Sequence, residues 1–250
     1  MEIPHKHHNH IPKRIREYFI ELLSTFIAVI LAFLSQYYFE YRSNRSTEHD
    51  LMISLVADLR TDIKNIDKLS ASTPAFEKSM NELQDLCYDE HSTLEKQKLM
   101  LKLADIGFDR TYNVNFTQGT ASQLKNAGGL RLIQDSSIVD AITEYDNTKQ
   151  HLDSYAQNVG LKKQDYLQHV AKNIPMRFIN YFNLDNESLS NIYKMRNSIL
   201  LNDTFTSLSE LSNSCFIFEA QSVGYANQCE GLKKQAEKLI ALIQSLYHIE

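Results

Sequence analysis

The hydrophobic pattern opens on an apolar block and then settles into a helical period that continues along most of the chain. Residues 22–39, LLSTFIAVILAFLSQYYF, hold 14 apolar residues in 18 and no charge. A bilayer core about 30 Å thick takes about 20 helical residues. Phe19 and Ile20 extend the run, and Tyr37, Tyr38 and Tyr41 set an aromatic belt at its far end. Two rival readings are a cleaved signal peptide and a buried core helix. A signal peptide needs small residues before the cut, and Phe-Leu-Ser-Gln-Tyr-Tyr after Ala32 offers no such site. A core helix is seldom apolar on every side. The pattern predicts a tail over residues 1–17, a transmembrane helix over 18–40 and a helical domain over 41–250.

Beyond the block, Met52, Leu55, Val56, Leu59, Ile63, Ile66 and Leu69 recur with helical spacing, and no Pro or Gly falls between Pro12 and Pro74. The membrane helix is therefore expected to run on to about residue 71, with a bend near 43–47. Ser72-Thr73-Pro74 reads as a turn, with Pro74 opening the next helix. Helices follow at about 75–90 and 93–105, the second capped by Ser92 and the region closed by Gly107. FDRTYNVNF at 108–116 is expected to be a packed loop. Thr117 would cap a short helix to Ala127, stopped by Gly128-Gly129. Asp135 or Ser136 starts a long helix with Ile138, Ile142, Tyr145, Leu152, Tyr155, Val159, Tyr166 and Val170 on one side. Pro175 restarts the chain, and Asp185 or Asn186 opens a helix to about Leu201.

The last segment is the most regular. Leu208, Leu211, Cys215, Phe218, Tyr225, Cys229, Leu232, Leu239, Ile243 and Leu246 fall on one heptad-like seam. Such a helix packs against another long helix, within the chain or across an oligomer. The fold class is thus all-α: the transmembrane helix continuing into a long helix, then an antiparallel bundle with a long C-terminal helix.

Composition agrees with long helices, since the whole chain has only seven Gly and four Pro. Charge sets the orientation. Lys13, Arg14 and Arg16 precede the span, with Lys6 further out; Arg42 and Arg45 follow it among Glu40, Glu48 and Asp50. The basic bias puts the N-terminus in the cytoplasm and the domain outside, periplasmic in a bacterium with the helix in the inner membrane. Removing the four basic and three acidic residues of positions 1–39 from totals of 26 and 31 leaves 22 and 28. That acidic balance argues against a nucleic-acid partner.

Within the span, Ser24, Ala28 and Ala32 recur every four residues, and Glu21, Thr25, Ser35 and Gln36 lie near the same stripe. Small residues at this spacing let two membrane helices approach closely. Glu21 either reaches the headgroups or faces a partner helix or pore.

Catalytic chemistry is not evident. Walker, G-x-S-x-G, H-E-x-x-H and G-x-G-x-x-G patterns are absent. Asp89-Glu90-His91 and Glu48-His49-Asp50 place acids beside His, but neighbours on a helix point to different sides. The His5-Lys6-His7-His8-Asn9-His10 run is expected to be a polar tail. Cys215 and Cys229 would sit about 21 Å apart on a continuous helix, too far for a disulfide, so only Cys87 could bridge one of them. The odd count and core positions favour three free, buried thiols. No cofactor or metal is expected, and the chain reads as a non-enzyme.

The segment from Glu21 through Ala28 and Ala32 to Tyr38-Phe-Glu40 resembles the opening of an uncharacterised family of bacterial single-pass membrane proteins. Ala28 stands at that family's Gly and Tyr38 at its Trp. Gln123-Leu-Lys-Asn-Ala-Gly128-Gly-Leu-Arg-Leu-Ile133, on to Ile142-Thr-Glu-Tyr145, is similar to its second recurring pattern. The resemblance implies an N-terminal transmembrane helix and an all-helical extracytoplasmic domain, and it implies no activity.

The expected function is a membrane-anchored interaction or scaffold protein. Its partners would be the bilayer and either a second copy or another membrane protein. The alternatives are an extracytoplasmic sensor bundle for a small ligand or envelope component, its Tyr-rich faces including Tyr193, and an effector whose helices cluster around Glu21 into a pore.

Overall fold

The structure, a computed structural model, describes residues 13–89, 93–117, 119–126, 128–178 and 186–249. Among these it is all-helical, with α1 (Lys13–Cys87), α2 (Leu94–Asp109), α3 (Gly119–Asn126), α4 (Ser136–Asn173), α5 (Asn186–Arg196) and α6 (Phe205–Tyr247). Short 3₁₀ turns lie at Gly129–Arg131 and Met176–Phe178. The chain divides into two compact units, Met1–Asp50 and Leu51–Glu250.

In the first unit, α1 presents its apolar side chains from Tyr18 to Phe39 without cover. Among the described residues, one helix is long and apolar enough to cross a membrane. Past the apolar run, Arg45 pairs with Glu48 at 2.7 Å and lies over the Tyr41 ring.

In the second unit, α1, α4 and α6 build the core. Met52, Leu55, Val56, Leu59, Ile66, Leu69, Phe76, Met80 and Leu83 are buried along one face of α1. Phe76 meets Phe218 of α6 edge-on at 5.4 Å, and Lys233 of α6 reaches Asp67 at 2.5 Å. Helix α4 packs along α6: Tyr166 stacks on Phe218 at 5.3 Å, Tyr155 on Tyr225 at 5.9 Å, and Ser207 donates to Asn173 at 2.7 Å. Buried aromatic pairs of this kind add about 0.5–1.5 kcal/mol each beyond their buried area.

Three local expectations are corrected. Ser72-Thr73-Pro74 is not a turn, because α1 continues through Pro74 to Cys87. Proline removes one N–H and crowds the carbonyl four residues back. Here the Ser72 and Thr73 hydroxyls donate to the Leu69 carbonyl at 2.9 and 2.8 Å. Phe76, Met80 and Leu83 then carry the apolar face onward, so packing overrides the local preference.

Gly107 does not end α2, which runs to Asp109. It is the point where the Tyr166 ring lies against the helix. A Cβ at 107 would come within 2.6 Å of the Tyr166 hydroxyl oxygen. Helix α5 stops at Arg196 rather than near Leu201, because Asn197 takes a left-handed conformation at φ 57°. Its N–H closes the helix on the Tyr193 carbonyl at 2.7 Å. Ile199 and Leu200 are then buried as loop residues.

Elsewhere local chemistry sets the ends. Thr93 caps α2, Asp135 caps α4 through the Ser137 N–H, and Thr204 caps α6. Gly128, at φ 70°, supplies the left-handed residue beyond α3. The loop expected over 108–116 begins only at 110, because α2 continues to Asp109; within it Val114 is buried and its N–H donates to the Tyr225 hydroxyl at 3.2 Å. Ser92, Ala127 and Asp185, proposed as helix ends, lie outside the described residues.

Candidate functional site

The predicted site residues separate into two groups. On the apolar part of α1, Glu21, Ser24, Ala28, Ala32 and Ser35 are all exposed. The Ser24 and Thr25 hydroxyls donate to the Glu21 carbonyl at 2.8 and 2.9 Å, so both are satisfied within their own helix. The seam of α6 is different. Leu208, Leu211, Cys215, Phe218, Tyr225, Cys229, Leu232, Leu239 and Ile243 are buried by the chain itself, and only Leu246, at 45 % exposure, reaches the surface. The heptad pattern therefore records intrachain packing against α4 and α1.

The three cysteines are free and buried. Burial pushes the Cys87 thiol up to about 12 and Cys229 to about 11, and it holds Cys215 well above its ordinary value. These thiols are hydrophobic filler and poor nucleophiles. His151 is exposed, while His169 sits 3.9 Å from Asp165 and 4.0 Å from Glu210. No group of three metal-ligating side chains occurs among the described residues, and His5, His7, His8, His10 and His91 lie outside them.

Two polar arrangements escaped the sequence reading. The first joins α1 to α4 through the loop before α3. Asp62, buried on α1, accepts from the Tyr145 hydroxyl and the Thr117 N–H, both at 2.7 Å. Asp58, one turn earlier, accepts from the Thr120 N–H at 3.1 Å. The buried Lys149 ammonium donates to the Thr117 carbonyl at 2.5 Å. Burial, reinforced by Asp62, pushes the Tyr145 phenol up. Each of these groups has a partner, and the network fastens the loop.

The second arrangement is a cleft of about 650 Å³ between α1, α2 and the turn at Met176–Phe178. Phe76, Leu101, Ile106 and Phe178 give it apolar walls, with Lys102, Asp105 and Asp109 along α2. Arg110 lines it too, although the side chain is only 6 % exposed. Its two terminal nitrogens donate to Ser72 Oγ and Thr73 Oγ1 at 2.8 Å each, and the guanidinium lies 4.6 Å over the Phe76 ring. Its Nε is buried without a partner, and none of the ion pairs among the described residues involves it. Burial lowers its pKa, although a guanidinium remains charged at any physiological pH. A buried cation held only by neutral hydroxyls and a ring is under-satisfied, and in proteins such a charge costs several kcal/mol unless it is paired. In sequence, Arg110 is one cation in an aromatic loop; only the long-range approach of α1 reveals it.

Comparison with protein-family models, curated proteins and solved structures finds no match to this chain.

Proposed function

We propose that this chain is a single-pass, membrane-anchored interaction protein of the uncharacterised bacterial family it resembles. Residues 18–40 cross the inner membrane with the N-terminal side cytoplasmic, and the helical domain stands in the periplasm. The observation that carries the reading is the uninterrupted exposure of apolar side chains from Tyr18 to Phe39. An apolar surface of this length is costly in water and favourable in lipid. The contacts of α6 with α4 and α1 fall in reverse order along the helices (Tyr155 with Tyr225, Tyr166 with Phe218; Asp67 with Lys233, Phe76 with Phe218), which supports an antiparallel bundle.

Because the α6 seam is covered by the chain's own helices, self-association is assigned to the Ser24–Ala28–Ala32 face of the membrane helix. The domain is read as a non-enzyme that positions partners at the membrane surface. Two experiments test this. A C-terminal alkaline phosphatase fusion should be active and a C-terminal green fluorescent fusion dark; the reverse pattern contradicts the orientation. Crosslinking in native membranes should trap a dimer or larger species that Ala28→Ile weakens; monomer alone contradicts self-association.

A second reading, a periplasmic sensor domain, is favoured by one observation: the cleft lined by the buried Arg110.

A further inference from the structure

The geometry points to the Arg110 cleft as a binding site for a small organic monoanion, an aromatic or short aliphatic carboxylate. The inference deepens the sensor reading and is independent of the membrane anchor. Three features carry it. First, Arg110 is nine-tenths buried, yet of its five N–H donors the hydrogen bonds to Ser72 and Thr73 occupy two, and both acceptors are neutral. The Ser72 proton is itself committed to the Leu69 carbonyl, so recognition of an acceptor in the cleft falls to the guanidinium.

Second, the guanidinium is held in place before any ligand arrives. Two hydroxyls on α1 fix its terminal nitrogens and Phe76 supports its face. A preorganised guanidinium beside apolar surface strengthens a charge-assisted hydrogen bond and reduces the entropy lost on binding. Third, the walls are apolar and partly aromatic, which suits a hydrocarbon or ring body.

The acidic residues narrow the class. Asp105 and Asp109 also line the cleft and offset the charges of Lys102 and Arg110, so the lining carries no excess positive charge to hold a second negative charge. Asp109 acts as well on the Lys163 ammonium, favouring its charged form against the effect of burial, so part of its field is already answered. A monocarboxylate with an apolar body satisfies Arg110 without facing that rim as a dianion would.

The test uses the full chain in nanodiscs of zwitterionic lipid, with calorimetric titration of 3-phenylpropionate, its neutral amide and L-phenylalanine. The acid should bind at least about tenfold more tightly than the amide, the equivalent of about 1.4 kcal/mol. Arg110→Met should erase that preference. Because Arg110 also braces α1 near Pro74, Ser79→Trp provides a second variant: it fills the cleft from its side, leaves the guanidinium in place and should abolish binding of the acid. The Ser79 hydroxyl bonds only its own helix, at Ala75 O, so its loss should leave the fold intact. Equal binding of acid and amide, no binding of the acid at millimolar concentration, or acid binding unchanged by Ser79→Trp would overturn the proposal. Tighter binding of L-phenylalanine than of the acid would also overturn it, since the acidic rim would then govern recognition. None of these outcomes bears on whether the chain is anchored in a membrane.

Discussion

Replacing Gly107 by alanine separates helix propensity from packing. In an unconstrained helix interior this change gains about 1 kcal/mol. At Gly107 the new methyl carbon would lie 2.6 Å from the Tyr166 hydroxyl oxygen and 2.8 Å from two ring carbons, closer than real side chains approach. Tyr166 has nowhere to retreat. It is fully buried, stacks on Phe218 at 5.3 Å, and donates to the Ala104 carbonyl at 3.1 Å. Overpacking a filled site costs about 1–3 kcal/mol. Displacing the ring also strands the buried Tyr166 hydroxyl, a further cost of about 1–3 kcal/mol. After the propensity gain is subtracted, Gly107→Ala should destabilise the fold by about 3 kcal/mol. Gly231 on α6 is the control, since a Cβ there meets nothing within 4 Å. Gly231→Ala should stabilise by about 0.5–1 kcal/mol. Urea titration of the full chain in detergent, followed by helical circular dichroism and tyrosine fluorescence, measures both. If Gly107→Ala proves as stable as Gly231→Ala, the packing of Tyr166 against α2 is not as described.

Asp62→Ala should cost about 2–4 kcal/mol in the same titration, because it leaves the Tyr145 hydroxyl and the Thr117 N–H without an acceptor. Pro74→Ala should stabilise α1 by about 1–3 kcal/mol by returning an N–H to a helix that already continues past the position; a loss would show that the proline is required there. The thiols give a pH dependence. Their folded pKa values lie above the ordinary 9.0, at about 12 for Cys87 and about 11 for Cys229. The unfolded chain therefore releases these protons first as pH rises. The thiols' contribution to stability should be constant below about pH 9 and fall above it by about 1.4 kcal/mol per pH unit for each such thiol, until the folded group also ionises; the buried Tyr145 phenol, also pushed up, adds to the loss at higher pH. Denaturation midpoints between pH 7 and 11 check the slope. All three thiols should resist a maleimide at pH 8 and react in denaturant.

Long-period features of the fold were legible in the sequence, and features made by approach of distant segments were not. The helical period through Met52–Leu69 and the seam from Leu208 to Ile243 both lie on buried faces, because burial of an amphipathic stripe is what produces such a pattern. Whether the seam met its own chain or a second one was not legible, since both partners demand the same spacing. Pro74, Gly107 and Asn197 show where local chemistry misleads. Two of them are helix breakers overridden by tertiary packing at Phe76 and Tyr166, and the third ends a helix through a conformation that asparagine shares with glycine. The Arg110 cleft depends on residues 37 and 38 positions apart, and the Asp62 network on residues 55 and 83 apart. No single-segment period encodes such pairings.

Whether the uncovered apolar run of α1 is solvated by lipid, as proposed, is read by alkaline carbonate extraction of membranes from cells expressing the full chain. The protein should stay in the membrane pellet after carbonate treatment, and deletion of residues 18–40 should transfer the remaining chain to the soluble fraction. Release of the intact chain into the carbonate supernatant would contradict it.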